Sequence, residues 1–183
     1  METNRLSIPL EQALNDPVTK EAQAAQIYLS YDAWAERLGY SGIANFLFRH
    51  ASEERNHMMK FLEYILRRGG EVRIAAIAAP PENPRSINHC FEKVFEHEVD
   101  NTKAIYRVAK IAHNEEDWAT WNFMQWFVKE QTEEETLVMN LLDKMKIAGG
   151  EKVNNDTLYS LDRDLEKTTG EVRSAQDATT ENP

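Results

Sequence analysis

Apolar residues in this chain recur at steps of three and four rather than two, in long runs that mark amphipathic helices. The interruptions are few: Gly39 and Gly42, Gly69-Gly70, the cluster Pro80, Pro81 and Pro84, and Gly149-Gly150. They predict four long helices over residues 17–38, 41–68, 86–113 and 115–148. Asp16 suits an N-cap with Pro17 at the first helical position, and Ser86 suits the cap of the third helix. Residues 9–14 either form a separate turn upstream or join the first helix through a kink at Pro17. At about 1.5 Å per residue the second helix is roughly 40 Å long, and long striped helices bury their stripes against one another in a bundle. Tight turns make the first and second helices antiparallel neighbours, and likewise the third and fourth. The segment 69–85, about seventeen residues rich in alanine and proline, reaches roughly 50 Å when extended. That spans the bundle, so a crossover with the third helix parallel to the second is expected. Leu158, Leu161 and Leu165 then mark a short fifth helix over 157–167 that must dock to be stable. The polar, aperiodic residues 168–183 are expected to be a disordered tail behind a single all-α domain at 1–167.

The stripes are interrupted by acids. On the second helix Ile43, Leu47, His50, Glu54, His57, Phe61 and Tyr64 share one face, and on the fourth Phe123, Phe127, Glu130, Glu134, Leu137 and Leu141 do. Glu98 falls among Phe91, Val94, Ile105 and Ala109 on the third helix, and Glu21 among Ala24, Ala25 and Tyr28 on the first. Gln131 lies three residues before Glu134 and can act with it. Counted from the predicted helix ends, these acids lie within about 8 Å of one level. Buried carboxylates without a counter-charge each cost several kcal/mol, on the order of the desolvation penalty of an ion, so a cation is implied. Oxygen ligands with one imidazole suit ferrous iron, manganese or zinc, and a bridging Glu54 would allow two metals side by side.

Composition narrows the picture. A formal charge of -10, from 31 acids against 21 bases, disfavours nucleic acid and anionic membranes and favours cations. No leader or membrane span is indicated, and a cytoplasmic location is expected. The single cysteine, Cys90, allows no disulfide or thiolate cluster within the chain. His50, His89, His97 and His113 read as structural, and Glu135 is expected to face outward, since the six residues 130–135 circle their helix.

The segments 46–58, Phe-Leu-Phe-Arg-His-Ala-Ser-Glu-Glu-Arg-Asn-His-Met, and 122–135, Asn-Phe-Met-Gln-Trp-Phe-Val-Lys-Glu-Gln-Thr-Glu-Glu-Glu, resemble the second and fourth helices of bacterial non-haem ferritins. The resemblance extends to about residue 167. It implies a ferritin-like four-helix bundle with a long crossover and short fifth helix, assembled as a hollow homo-oligomer of twenty-four subunits that oxidises ferrous iron with dioxygen or peroxide and stores the ferric mineral. By matched position, Glu21, Glu54 and His57 would hold a first iron, and Glu54, Glu98 and Glu134 a second with Gln131 beside them. Glu53, Glu130 and Glu133 match a third iron site, and Tyr28 a tyrosine that takes part in electron transfer. The chain has Gln131-x-x-Glu134 where bacterioferritins repeat Glu-x-x-His, and Arg55 where they place a haem-binding methionine, so no haem is expected. A di-iron scavenger of peroxide or oxygen and a non-enzymatic helical assembly protein are the competing readings.

Overall fold

Side-chain capping sets where three of the four long helices begin. The computed structural model describes the backbone of residues 3–180 and the side chains of residues 3–167. Its long helices are α1 (Ile8–Arg37), α2 (Ser41–Arg67), α3 (Ile87–Asn114) and α4 (Trp118–Ile147), followed by a 3-10 turn at Gly150–Lys152 and α5 (Asn155–Thr180). No strand occurs among the described residues. Ser86 caps α3 as expected, its hydroxyl accepting from the His89 amide at 3.0 Å. The first helix takes the second of its two expected forms, one longer helix running through Pro17. Ser7, not Asp16, is its cap, accepting from the Leu10 amide at 3.2 Å. Pro17 lies buried inside a continuous α1, and Asp16 instead pairs with Arg107 at 3.1 Å. Burial against the rest of the bundle outweighs the missing hydrogen bond of an internal proline, a loss of about 3 kcal/mol. The fourth helix likewise starts later than expected, after Asp117, whose carboxylate accepts from Thr120 N at 3.0 Å and pairs with Arg68 at 2.9 Å.

Side-chain pairs give the helix directions. Between α1 and α3, Asp16 meets Arg107, Glu21 meets Asn101 and Tyr28 meets Glu98, so these helices run antiparallel. Between α2 and α4, His50 meets Glu134, Phe61 meets Phe127 and Tyr64 meets Thr120, again antiparallel. Since the short turn after Arg37 makes α2 antiparallel to α1, α2 and α3 are parallel, and residues 68–86 form the crossover the proline-rich segment predicted. At the far end α5 docks on the start of α2. The Ile43 amide donates to Asp162 Oδ1 at 2.9 Å, and a Cβ at Gly42 would lie 1.8 Å from the Asp162 carbonyl oxygen. Only glycine permits that approach. Leu158, Leu161 and Leu165 pack against the core there. α5 runs on to Thr180, past the expected end at 167, so the backbone of residues 168–180, expected as part of a disordered tail, is helical; residues 181–183 lie outside the described residues. None of the described helices is long and apolar enough to cross a membrane.

The core is divided in two. One apolar cluster holds Tyr28, Phe46, Leu47, Phe91, Val94, Val138 and Leu141. The other holds Leu10, Leu14, Phe61, Ile65, Ile105, Val108 and Phe127. On every long helix the two clusters are separated by the stretch that carries the inward acids: residues 19–23, 52–60, 95–103 and 128–137. Phe61 and Phe127 stack at 4.0 Å just beyond this gap, a contact worth about 0.5–1.5 kcal/mol beyond its area. One detail of the predicted α4 stripe fails: Leu137 is 41% exposed and Val138 is buried instead. The buried positions Met124, Phe127, Gln131, Glu134, Val138, Leu141 and Met145 keep steps of three and four, and Leu137 falls beside that stripe rather than on it.

Candidate metal centre

The polar layer between the two apolar clusters is built by one turn of each long helix. Glu21 (α1), Glu54 and His57 (α2), Glu98 (α3), and Gln131 and Glu134 (α4) are all buried, with Glu21 and Glu98 each only 1% exposed. Steps of three place Glu54 with His57, and Gln131 with Glu134, on one face of their helices. His57 Nδ1 lies 3.2 Å from Glu54 Oε2. One ligand atom from each of Glu21, Glu54 and His57 lies within 4.8 Å of the other two. Asn101 Nδ2 donates to Glu21 Oε2 at 3.0 Å, the Tyr28 hydroxyl donates to Glu98 Oε1, and Gln131 Nε2 donates to Glu98 Oε2 at 3.2 Å. The layer thus brings the expected first-site residues Glu21, Glu54 and His57 within reach of one ion, while of the expected second-site residues Glu98 is held by Tyr28 and Gln131, and Glu134 lies closer to His50 and Glu53.

Its electrostatics are those of acids crowded without a counter-charge. Burial, then the charge of Glu54, holds the carboxyls of Glu21 and Glu98 well above the ordinary range. Burial also pushes Glu54 upward, but hydrogen bonds with His57 and with Glu21 outweigh it and leave Glu54 below the ordinary range. Burial, then the charge of Glu98, raises the Tyr28 hydroxyl well above its usual value, so Tyr28 keeps its proton. The metal-free layer therefore holds protons on some carboxyls and charge on others. Glu134 Oε2 is buried without a hydrogen bond among the described residues; His50 Nδ1 is 3.3 Å away but not aligned for one. An orphaned carboxylate oxygen facing partly protonated acids is the donor set that a divalent cation satisfies, displacing protons as it binds.

A second group adjoins the first. His50, Glu53, Glu130, Glu133 and Glu134 line one cavity of about 210 Å³ together with Arg49 and Leu137. His50 Nδ1 is 3.4 Å from Glu53 Oε2, and ligand atoms of His50, Glu53 and Glu134 come within 4.8 Å of one another. The expected third-site residues do share this cavity, but unequally: the Glu130 side chain is 28% exposed and 3.9 Å from His57 Nε2, whereas Glu133 is 62% exposed and pairs with Lys129 at 3.3 Å. His50, read from sequence as structural, belongs to this second group, its Nδ1 within 3.4 Å of both Glu53 and Glu134. Its place on the inward stripe of α2, three residues before Glu53, was the signal that pointed there. Glu135 also departs from expectation. It is half-buried and accepts from the Thr102 hydroxyl at 2.5 Å, because its side chain turns toward α3. Trp126 packs edge-on against His57 with ring centres 5.4 Å apart, and Lys60 covers its other surface at 3.2 Å.

Comparison with known proteins agrees with this geometry. The Ferritin family's model of the ferritin-like domain matches residues 11–148. A bacterial non-heme ferritin of Campylobacter jejuni is 38% identical over 144 residues, covering 79% of this chain and 86% of that protein. A probable bacterial non-heme ferritin-like protein of Haemophilus influenzae is 36% identical, covering 87% of this chain and 95% of its own length. The open-pore ferritin of Archaeoglobus fulgidus superposes with a TM-score of 0.83 at 35% identity, over 88% of this chain and 98% of that one. With most of its length matched by the family model and by relatives above 30% identity, the chain belongs to the ferritin family of iron-storage proteins.

Proposed function

We propose that the buried layer is a ferroxidase centre that takes ferrous iron as substrate and supplies ferric iron to a mineral stored inside a hollow, cytoplasmic homo-oligomer of about twenty-four subunits. Glu21, Glu54 and His57 bind the first ferrous ion; Glu54, Glu98 and Glu134 bind the second, with Gln131 beside it. Each ion gives up one electron. Dioxygen takes the pair with two protons and leaves as hydrogen peroxide, or peroxide takes them with two protons and leaves as two waters. The carboxyl protons displaced by the metals are available for that reduction. Tyr28, hydrogen-bonded to Glu98, stands where an electron or proton can pass to the site. Glu53, Glu130 and Glu133, with His50 beside them, form a third site that receives ferric iron on its way to the store. The whole described chain through residue 167 acts as one domain.

The observation that carries this reading is the layer itself: four inward carboxylates from four helices, at the one level where both apolar clusters stop. Aerobic addition of ferrous iron to the metal-free protein, with native mass measured alongside, tests it. Rapid ferric formation by a large assembly is expected, and its absence in an intact assembly would contradict the proposal. Oxidant consumed without iron retained would favour a scavenger.

A further inference from the structure

Gln131 is 2% exposed, and its Nε2 faces three atoms of α3: Glu98 Oε2 at 3.2 Å, the Glu98 carbonyl oxygen at 3.4 Å and Thr102 Oγ1 at 3.4 Å. The chemistry of these partners fixes which end of the amide lies there. The Glu98 carbonyl oxygen can only accept, and the Glu98 carboxylate, once a metal has displaced its proton, accepts as well. Thr102 has a single hydroxyl proton, and that proton goes to Glu135 Oε1 at 2.5 Å. With its proton committed, the Thr102 oxygen can only accept, so it too demands the NH2 end of Gln131. A terminal amide torsion is otherwise broad and roughly two-fold, and nothing in the shape of glutamine prefers one orientation over its flip.

We propose that Thr102 and Glu135 are a positioning pair for the second iron. The pair holds the Gln131 NH2 toward Glu98, which orients the Glu98 carboxylate and turns the Gln131 amide oxygen away from it. Neither Thr102 nor Glu135 is a ligand. They act through Gln131, as outer partners do in other metal sites, where their loss costs about 10–100-fold in affinity. The first site, Glu21, Glu54 and His57, has no hydrogen bond to either residue and is untouched. The inference rests on the assignment of the layer as a two-iron centre.

The test is anaerobic calorimetric titration of the metal-free assembled protein with ferrous iron. Thr102→Val keeps the shape and removes the hydroxyl; Thr102→Ser restores it; Glu135→Ala removes the acceptor that commits the proton. The expected result is an about tenfold weaker second ferrous ion in Thr102→Val and Glu135→Ala, an unchanged first ion, and recovery in Thr102→Ser. An unchanged second affinity in Thr102→Val, an equal loss at both sites, or no recovery with serine would overturn the positioning role while leaving the centre itself standing. Failure of the unaltered protein to bind two ferrous ions would instead refute the two-iron assignment, and with it this inference.

Discussion

Replacing Glu21 with glutamine should make the metal-free protein more stable while impairing its function. Glu21 keeps its proton in the fold, because burial and Glu54 hold its pKa well above the ordinary 4.5. In the unfolded chain it ionises near that ordinary value. The folded state thus binds the extra proton, and the wild type loses stability as pH rises above 4.5, by about 1.4 kcal/mol per unit until the raised folded value is reached. Glutamine is the same shape, still offers an oxygen to Asn101 and an N–H to Glu54, and needs no proton. Its advantage is therefore near zero at the ordinary value and widens with pH until the raised folded value is reached, each gain of about 1 kcal/mol lifting Tm by about 2–4 °C in a chain of this size. Thermal unfolding followed by circular dichroism, on chelator-treated protein at fixed concentration and scan rate across pH 4.5 to 6.5, reads this directly. The same variant should bind the first ferrous ion far more weakly. A Tm difference that is flat with pH, or that favours the wild type throughout, would refute the proton-holding layer.

Three further outcomes are expected. Glu54→Ala and His57→Ala should each slow ferrous oxidation by at least about 100-fold with the native mass unchanged, as stopped-flow absorbance and native mass spectrometry would show. Anaerobic ferrous binding should release protons, more of them as the starting pH is lowered toward the ordinary carboxyl range, because burial and Glu54 raise the Glu21 and Glu98 carboxyls; a weakly buffered indicator dye measures this across pH, and no release at any pH would contradict the pKa directions. Gly42→Ala would set a Cβ against the Asp162 carbonyl, forcing α5 off α2 at a cost of about 1–3 kcal/mol, visible as a lower Tm and increased protease sensitivity after Gly150, with oxidation at the distant layer retained.

Much of this architecture was legible because long periodic stripes leave little freedom. The inward positions of Ile43 through Tyr64 on α2 follow from steps of three and four alone, and the crossover from the reach of an alanine- and proline-rich segment. The layer was legible for the same reason, since Glu21, Glu54, Glu98 and Glu134 each break a stripe. What sequence could not supply was anything set by contacts between helices. Sequence left Pro17 as either a start or an internal kink, because its intrinsic preference is for a first turn, and tertiary burial carried α1 through it. Glu135 looked solvated because its own helix offered no partner; Thr102 on α3 provides one. His50 looked structural because imidazoles at buried positions usually are, and its neighbours Glu53 and Glu134 come from different turns and different helices.

The most direct measurement is stepwise anaerobic loading of the metal-free protein with ferrous iron, followed by a pulse of dioxygen and rapid absorbance detection. Saturable binding of two ferrous ions per subunit, both oxidised within the fast phase, is the expected result, with Glu54→Ala losing both the binding and the phase. Oxidation no faster than that of free ferrous iron, with no saturation at two per subunit, would contradict the assignment of the layer as the catalytic centre.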